Sequence, residues 1–199
     1  MNSLMDVKQY FSRETSLDKH QLSKIVLYSK PFSHILPDIH DQISYVMHLN
    51  KEDQLVLKNY TGDLSLEVNQ ELRQNHLSDS STSAVEVIDA IFKDCPLTLK
   101  PIIIYRGLTD VKPIDFLAND LGFVSCTINR EKAFNYAKTM SGSYDTESGC
   151  LLHLTIPVGS KILPLFMISE SVCEMEILLD RKTSIIIDKI DDYIIYCHL

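Results

Sequence analysis

Leu99-Lys100-Pro101-Ile102-Ile103-Ile104-Tyr105-Arg106-Gly107 is the stretch at which this chain changes its period. Before it, apolar residues recur at three- and four-residue spacing, as on one face of a helix. After it they come in short runs broken by turn residues, as in strands. Helices first and strands later describe an α+β fold rather than a doubly wound sheet. The predicted strands are Leu99–Tyr105, Leu121–Thr127, Cys150–Ile156, Lys161–Leu165, Cys173–Leu179, Ser184–Ile190 and Tyr193–Cys197. Asn129–Met140 is the one clear helix among them. Such short strands and turns predict two largely antiparallel β-sheets packed at an angle, preceded and flanked by N-terminal helices.

The upstream helices are read from Asp18 to Ser29, Asp38 to Leu49, Asn50 to Tyr60, Leu64 to Leu72 and Ala84 to Lys93. Asn50 caps the third, with Asp53 three residues on in place of the usual Glu, and Gly62 stops it. The serine-rich run Ser78–Ser83 reads as a loop, with Ser83 capping the last helix. The chain of 199 residues is taken as a single domain, with 1–49 a helical extension that carries no readable motif.

Composition narrows the function. An apolar content of 45% suffices for a core, and a net charge of −8 without a basic stripe argues against a general nucleic-acid binder. No run reaches the roughly 20 apolar residues of a membrane span. The opening MNSLMDVKQYFSRE lacks an apolar core and a cleavage site. These point to a cytoplasmic protein, or to one delivered into a host cell without a cleaved signal. The five cysteines, Cys95, Cys126, Cys150, Cys173 and Cys197, are too far apart for a zinc-ribbon or redox pair and read as buried free thiols. The seven histidines show no HExxH spacing, so no metal is expected. Neither GxGxxG nor a Walker loop is present.

Three segments carry chemistry. An apolar strand delivers Arg106 at its end, followed by Gly107; arginine is always charged and makes two parallel hydrogen bonds to a phosphate. In Phe123-Val124-Ser125-Cys126-Thr127, alternation puts Ser125 and Thr127 on one face and Cys126 on the other. In Glu174-Met175-Glu176-Ile177-Leu178-Leu179, the same alternation puts both carboxylates on one face, where like charges repel. A phosphate grip, a hydroxyl pair and two carboxylates together suit the cleavage of a charged glycoside.

This order of segments resembles the arginine–serine–glutamate class of mono-ADP-ribosyltransferases, the class of the clostridial exoenzymes and the catalytic subunits of actin-modifying binary toxins. Further matches are Leu57-Lys58-Asn59-Tyr60-Thr61-Gly62, then Val68-Asn69 and Leu72-Arg73, a strand ending in Pro157-Val158-Gly159, and Leu178-Leu179-Asp180-Arg181. The resemblance spans residues 50–199. It implies NAD as substrate, without metal, and a target protein as acceptor, with no nucleic acid and no membrane span. Glu176 would stabilise the ribose cation, Ser125 would hold Glu176, and Glu174 would orient the acceptor and take its proton. Arg106, Tyr105, Gly107, Ser125, Thr127 and Phe134 would bind NAD. A Glu at the position of Glu174 accompanies arginine acceptors in this class. Two positions depart from the pattern: Cys126 replaces the middle residue of Ser-Thr-Ser, and Ser171 stands where several members have an aromatic. The alternatives are a catalytically inactive module that binds NAD or a partner, an NAD hydrolase with no protein acceptor, and a plain structural α+β domain.

Overall fold

The computed structural model describes residues 19–109, 120–140, 149–181 and 183–199. Residues 1–18 of the N-terminal extension and Lys182 lie outside the described residues. The helices are α1 (Lys19–Ser29), α2 (His40–His48), α3 (Lys51–Asn59), α4 (Ser65–Arg73), α5 (Asp79–Asp94) and α6 (Arg130–Met140). Asn50 caps α3 reciprocally: its Oδ1 accepts from the Asp53 amide at 2.8 Å, and its Nδ2 donates to Asp53 Oδ2 at 2.7 Å. Asp53 stands at the position of the capping-box Glu, but its carboxylate accepts from the Asn50 side chain instead of the Asn50 backbone amide. Gly62 interrupts the helical backbone at φ −108°, ψ −140°, and α4 starts three residues later. The serine-rich run differs from the expectation. Ser78, not Ser83, is the cap, and α5 runs through the serines. The Ser78 hydroxyl faces the Ser81 amide at 3.3 Å, while Glu71 Oε2 accepts from the Ser78 amide at 2.9 Å. With the first turn satisfied this way, the local preference of serine for loops is overridden.

Seven strands follow: β1 (Ile102–Leu108), β2 (Val124–Thr127), β3 (Cys150–Ile156), β4 (Ile162–Pro164), β5 (Glu176–Leu179), β6 (Ile186–Asp191) and β7 (Ile194–His198). The fold is α+β, and the seven strands form one continuous sheet, in which the groups β4-β5-β2 and β1-β3-β7-β6 stand where two sheets packed at an angle are expected from the sequence. Every pairing is antiparallel except β3 with β7. The groups join edge to edge through a single register pair, Tyr105 with Thr127. Among the strand boundaries that differ from the expectation, two bear on the site. β1 begins after Pro101, which has no amide to donate to a ladder, and runs on to Leu108, so Arg106 sits inside the strand rather than at its end. β5 begins only at Glu176.

The helical layer and the sheet share one apolar cluster that reaches from Ile25 of α1 to Cys197 of β7. Phe123, just before β2, is fully buried; Tyr60 meets it edge-on at 5.6 Å and Phe92 stacks on it at 6.1 Å. Arg181, past the end of β5, is paired with Asp89 of α5 at 2.7 Å. On β1, Gly107 lets α6 approach: a Cβ there would lie 2.1 Å from the Ala133 carbonyl oxygen and 2.8 Å from the Ala137 amide. Both obstacles are backbone, so neither can rotate away. Gly107→Ala is therefore expected to cost about 1–3 kcal/mol or more, as overpacking does. At roughly 2–4 °C per kcal/mol for a chain of this size, thermal melting should read a fall of several degrees. An unchanged melting temperature would show that α6 does not rest on this glycine.

Candidate active site

The site is built where β5, β2 and β1 lie side by side. Thr127 is in register with Glu176, and Ser125 with Leu178. Cross-strand partners share a face, so Ser125, Thr127 and Glu176 project together. The Ser125 hydroxyl donates to Glu176 Oε1 at 2.6 Å. Glu176 is only 8% exposed. Burial pushes its carboxyl up to about 7; the Ser125 hydrogen bond opposes that, the nearby Glu174 adds to it, and Arg106 opposes it again. Arg106 reaches across from β1 and its Nη1 donates to the Ser125 carbonyl at 3.0 Å. A guanidinium, a hydroxyl and a poised carboxylate are thus held on three adjacent strands.

The second carboxylate is placed otherwise than alternation predicts. Val172–Glu174 is a 3₁₀ turn, and Met175 is left-handed at φ 50°, ψ 45° with its side chain fully buried. Alternation holds only for extended backbone, and a left-handed residue resets it. Glu174 and Glu176 therefore do not share a strand face: Glu174 stands exposed in the turn while Glu176 enters the strand buried. The turn is fastened to the end of β2. The Thr127 hydroxyl donates to the Glu174 carbonyl, and the Ile128 amide donates to the Met175 carbonyl at 3.3 Å.

The remaining residues singled out in the sequence divide. Cys126 is buried and burial pushes its thiol up to about 12, so it is a packing residue and not a nucleophile. The Tyr105 ring meets His153 edge-on at 5.4 Å. Gly107 serves the α6 contact. Phe134 of α6 is in contact with Tyr193 at 5.6 Å, with the Lys138 ammonium 4.2 Å above its ring. Arg106, Ser125, Thr127, Glu174 and Glu176 are brought together; Tyr105, Gly107 and Phe134 make these other contacts.

A polar chain beside the site has no chemistry legible in the sequence. Asn69 Nδ2 donates to the Tyr60 hydroxyl at 2.8 Å, and Asn69 Oδ1 accepts from the Phe123 amide at 2.9 Å. One turn further along α4, Arg73 grips Asp120 through Nε and Nη2 at 2.9 and 3.0 Å. Asp120 Oδ1 in turn accepts from the Gly122 amide. Burial raises the Tyr60 phenol well above its ordinary value, with Glu176, Arg106 and Arg73 all close enough to act on it. These groups pin the entry into β2, two residues before Ser125. The four-residue spacing of Asn69 and Arg73 was the available signal, since it places both on one helix face.

The family model of the ADP-ribosyltransferase exoenzymes matches residues 40–196, and the chain belongs to that family. NAD is the substrate that goes with it. Among solved structures, the fold is similar to an ADP-ribosyltransferase from Clostridium botulinum, with TM-score 0.62 and 18% identity over 94% of this chain and 97% of that one. It is similar to the ADP-ribosylating toxin of a binary enterotoxin of C. perfringens, solved with NADH, with TM-score 0.62 and 19% identity over 84% of this chain and 48% of that one. It is also similar to a protein from S. aureus solved with NAD, with TM-score 0.60 and 17% identity over 83% of this chain and 93% of that one. A search of curated proteins gave no match. Among the described residues no group of His, Cys, Asp and Glu could hold a metal ion, and no helix is long and apolar enough to cross a membrane.

Proposed function

We propose that this chain cleaves the N-glycosidic bond of NAD and transfers ADP-ribose to an arginine side chain of a target protein, releasing nicotinamide. The observation that carries the reading is the 2.6 Å hydrogen bond from Ser125 to a Glu176 carboxylate held out of water. As the bond to nicotinamide breaks, positive charge grows on the ribose, as in glycosidases. A carboxylate fixed in place before the reaction stabilises that charge without reorganising. Glu176 also accepts a hydrogen bond from the ribose 2′-hydroxyl in this reading. Arg106 holds the diphosphate.

The acceptor assignment rests on Glu174. An arginine guanidinium is protonated at neutral pH and cannot attack carbon. Glu174 is exposed in the turn beside Glu176, where an incoming protein side chain meets it. It takes the guanidinium proton as the nitrogen bonds to the ribose C1′ and nicotinamide departs with the electron pair of the broken bond. An effector acting on a protein inside a host cell fits this reading. Incubation with labelled NAD and a cell lysate tests it. A labelled protein band is the expected result; free ADP-ribose alone would leave an NAD hydrolase, and neither product would leave a binding module.

Arg106→Lys should weaken NAD affinity about tenfold, since lysine is a point charge without the paired donors of arginine. Calorimetry against NAD reads it. Unchanged affinity would leave Arg106 as no more than the tie from β1 to the Ser125 carbonyl.

A further inference from the structure

We propose that Thr127 is a positioning residue for the acceptor step: its hydroxyl latches the backbone of Glu174 and so sets where that carboxylate meets the acceptor. The inference rests on the transferase reading above. The hydroxyl has one proton, and it is given to the Glu174 carbonyl. Its oxygen accepts from the Asn129 amide at 2.9 Å. Thr127 is 9% exposed. The hydroxyl proton is committed within the protein, so Thr127 has none to give to NAD.

Its place in the sheet gives the latch its importance. Thr127 is the residue through which β2 meets β1, opposite Tyr105, and it is also opposite Glu176 on β5. It therefore stands at the joint between the two groups of strands and holds the turn that precedes β5. The next residue adds the Ile128 amide to the Met175 carbonyl. Met175 is held in a left-handed conformation that an ordinary side chain adopts at a cost, and such a residue persists where its surroundings over-determine it. On the other side, α1 packs against Val172–Glu174, with Ile25 and Val172 in the common core. The turn is thus fixed at its carbonyls by β2 and at its apolar side by α1, while the Glu174 side chain stays in solvent. The Glu176 side chain is oriented separately, by the Ser125 hydroxyl, and its pairing with Thr127 is through the backbone, which a change of side chain leaves in place.

The test compares two activities of the same variant. Valine keeps the branched shape and strand preference of threonine without the hydroxyl. Thr127→Val should lower the maximal rate of ADP-ribose transfer to agmatine, used as a soluble guanidinium acceptor, by about 10- to 100-fold, as expected when a catalytic group is misplaced by about an ångström. NAD hydrolysis without acceptor should fall at least about tenfold less than transfer does, because water needs no help from Glu174. Thr127→Ser, which keeps the hydroxyl, should restore the ratio of transfer to hydrolysis. If valine is not accommodated, Thr127→Ala makes the same comparison. Loss of both activities in proportion, or an unchanged ratio in the valine or alanine variant, overturns the latch. Wild-type protein that hydrolyses NAD but labels neither agmatine nor lysate protein overturns the transferase reading, and the latch with it.

Discussion

Glu176→Gln is expected to lower NAD cleavage about 100- to 1000-fold, the usual loss when one fixed group that answers transition-state charge is removed. The amide keeps the shape of the carboxylate and can still accept from the Ser125 hydroxyl, so the fold should survive. It should in fact melt higher at neutral and alkaline pH. Glu176 is 8% exposed and its carboxyl is pushed up to about 7. The sign follows from proton binding. Between the ordinary carboxylate range and about pH 7, the folded chain holds this proton more tightly than the unfolded one. Wild-type stability contributed by that proton is complete at low pH and is lost as pH rises through about 7. The ionised group in its buried site costs on the order of 3 kcal/mol; since the buried amide carries its own desolvation cost, the net gain should be about 1–2 kcal/mol, or a few degrees. The gain should vanish near pH 4. Activity runs the other way: kcat/KM for NAD hydrolysis should rise with pH through about 7 as the free enzyme ionises. NAD cleavage within a few-fold of wild type would remove Glu176 from the chemistry. A melting temperature that falls equally at pH 4 and pH 8 would show that the glutamate is not held at the expense of stability.

What could be read in the sequence was what local spacing controls. β3 has the predicted bounds and Asn50 caps α3 with Asp53 in the expected place; that Ser125 meets Glu176 was implied by the family resemblance and not by spacing. What failed depended on a backbone setting or a partner far along the chain. Nothing in Cys173-Glu174-Met175 announces a left-handed residue, since methionine is not among the types that adopt it freely; the conformation is imposed by Thr127 and Ile128, about fifty residues earlier. The serines after Ser78 favour a loop by composition and become helix because Ser78, held by Glu71, caps the first turn at the Ser81 amide. Asn69 reads as family spelling in the sequence; in the fold its amide bridges Tyr60 to the backbone before β2. Residues 19–49 carry no motif, yet α1 braces the turn that holds Glu174.

The geometry of that turn makes Glu174→Gln the sharper division of function. Simple alternation puts the two carboxylates on one strand face, where a change at the first would disturb the second. The structure separates them by the left-handed Met175, one exposed and one buried. Glu174 acts on Glu176 through the repulsion that helps raise its carboxyl. Removing the Glu174 charge should therefore leave Glu176 in place, and make it slightly easier to ionise. Hydrolysis of NAD should persist within a few-fold, because water attacks the ribose cation unaided. Transfer to agmatine should fall about 100-fold or more, because a protonated guanidinium has no lone pair until a base accepts its proton. The two rates measured on one preparation decide the matter. Parallel loss of both would mean that the carboxylates act as one unit despite the turn between them. Undiminished labelling of protein, with hydrolysis also intact, would mean that the acceptor is not a guanidinium, and arginine would have to be given up while NAD cleavage by Glu176 stood.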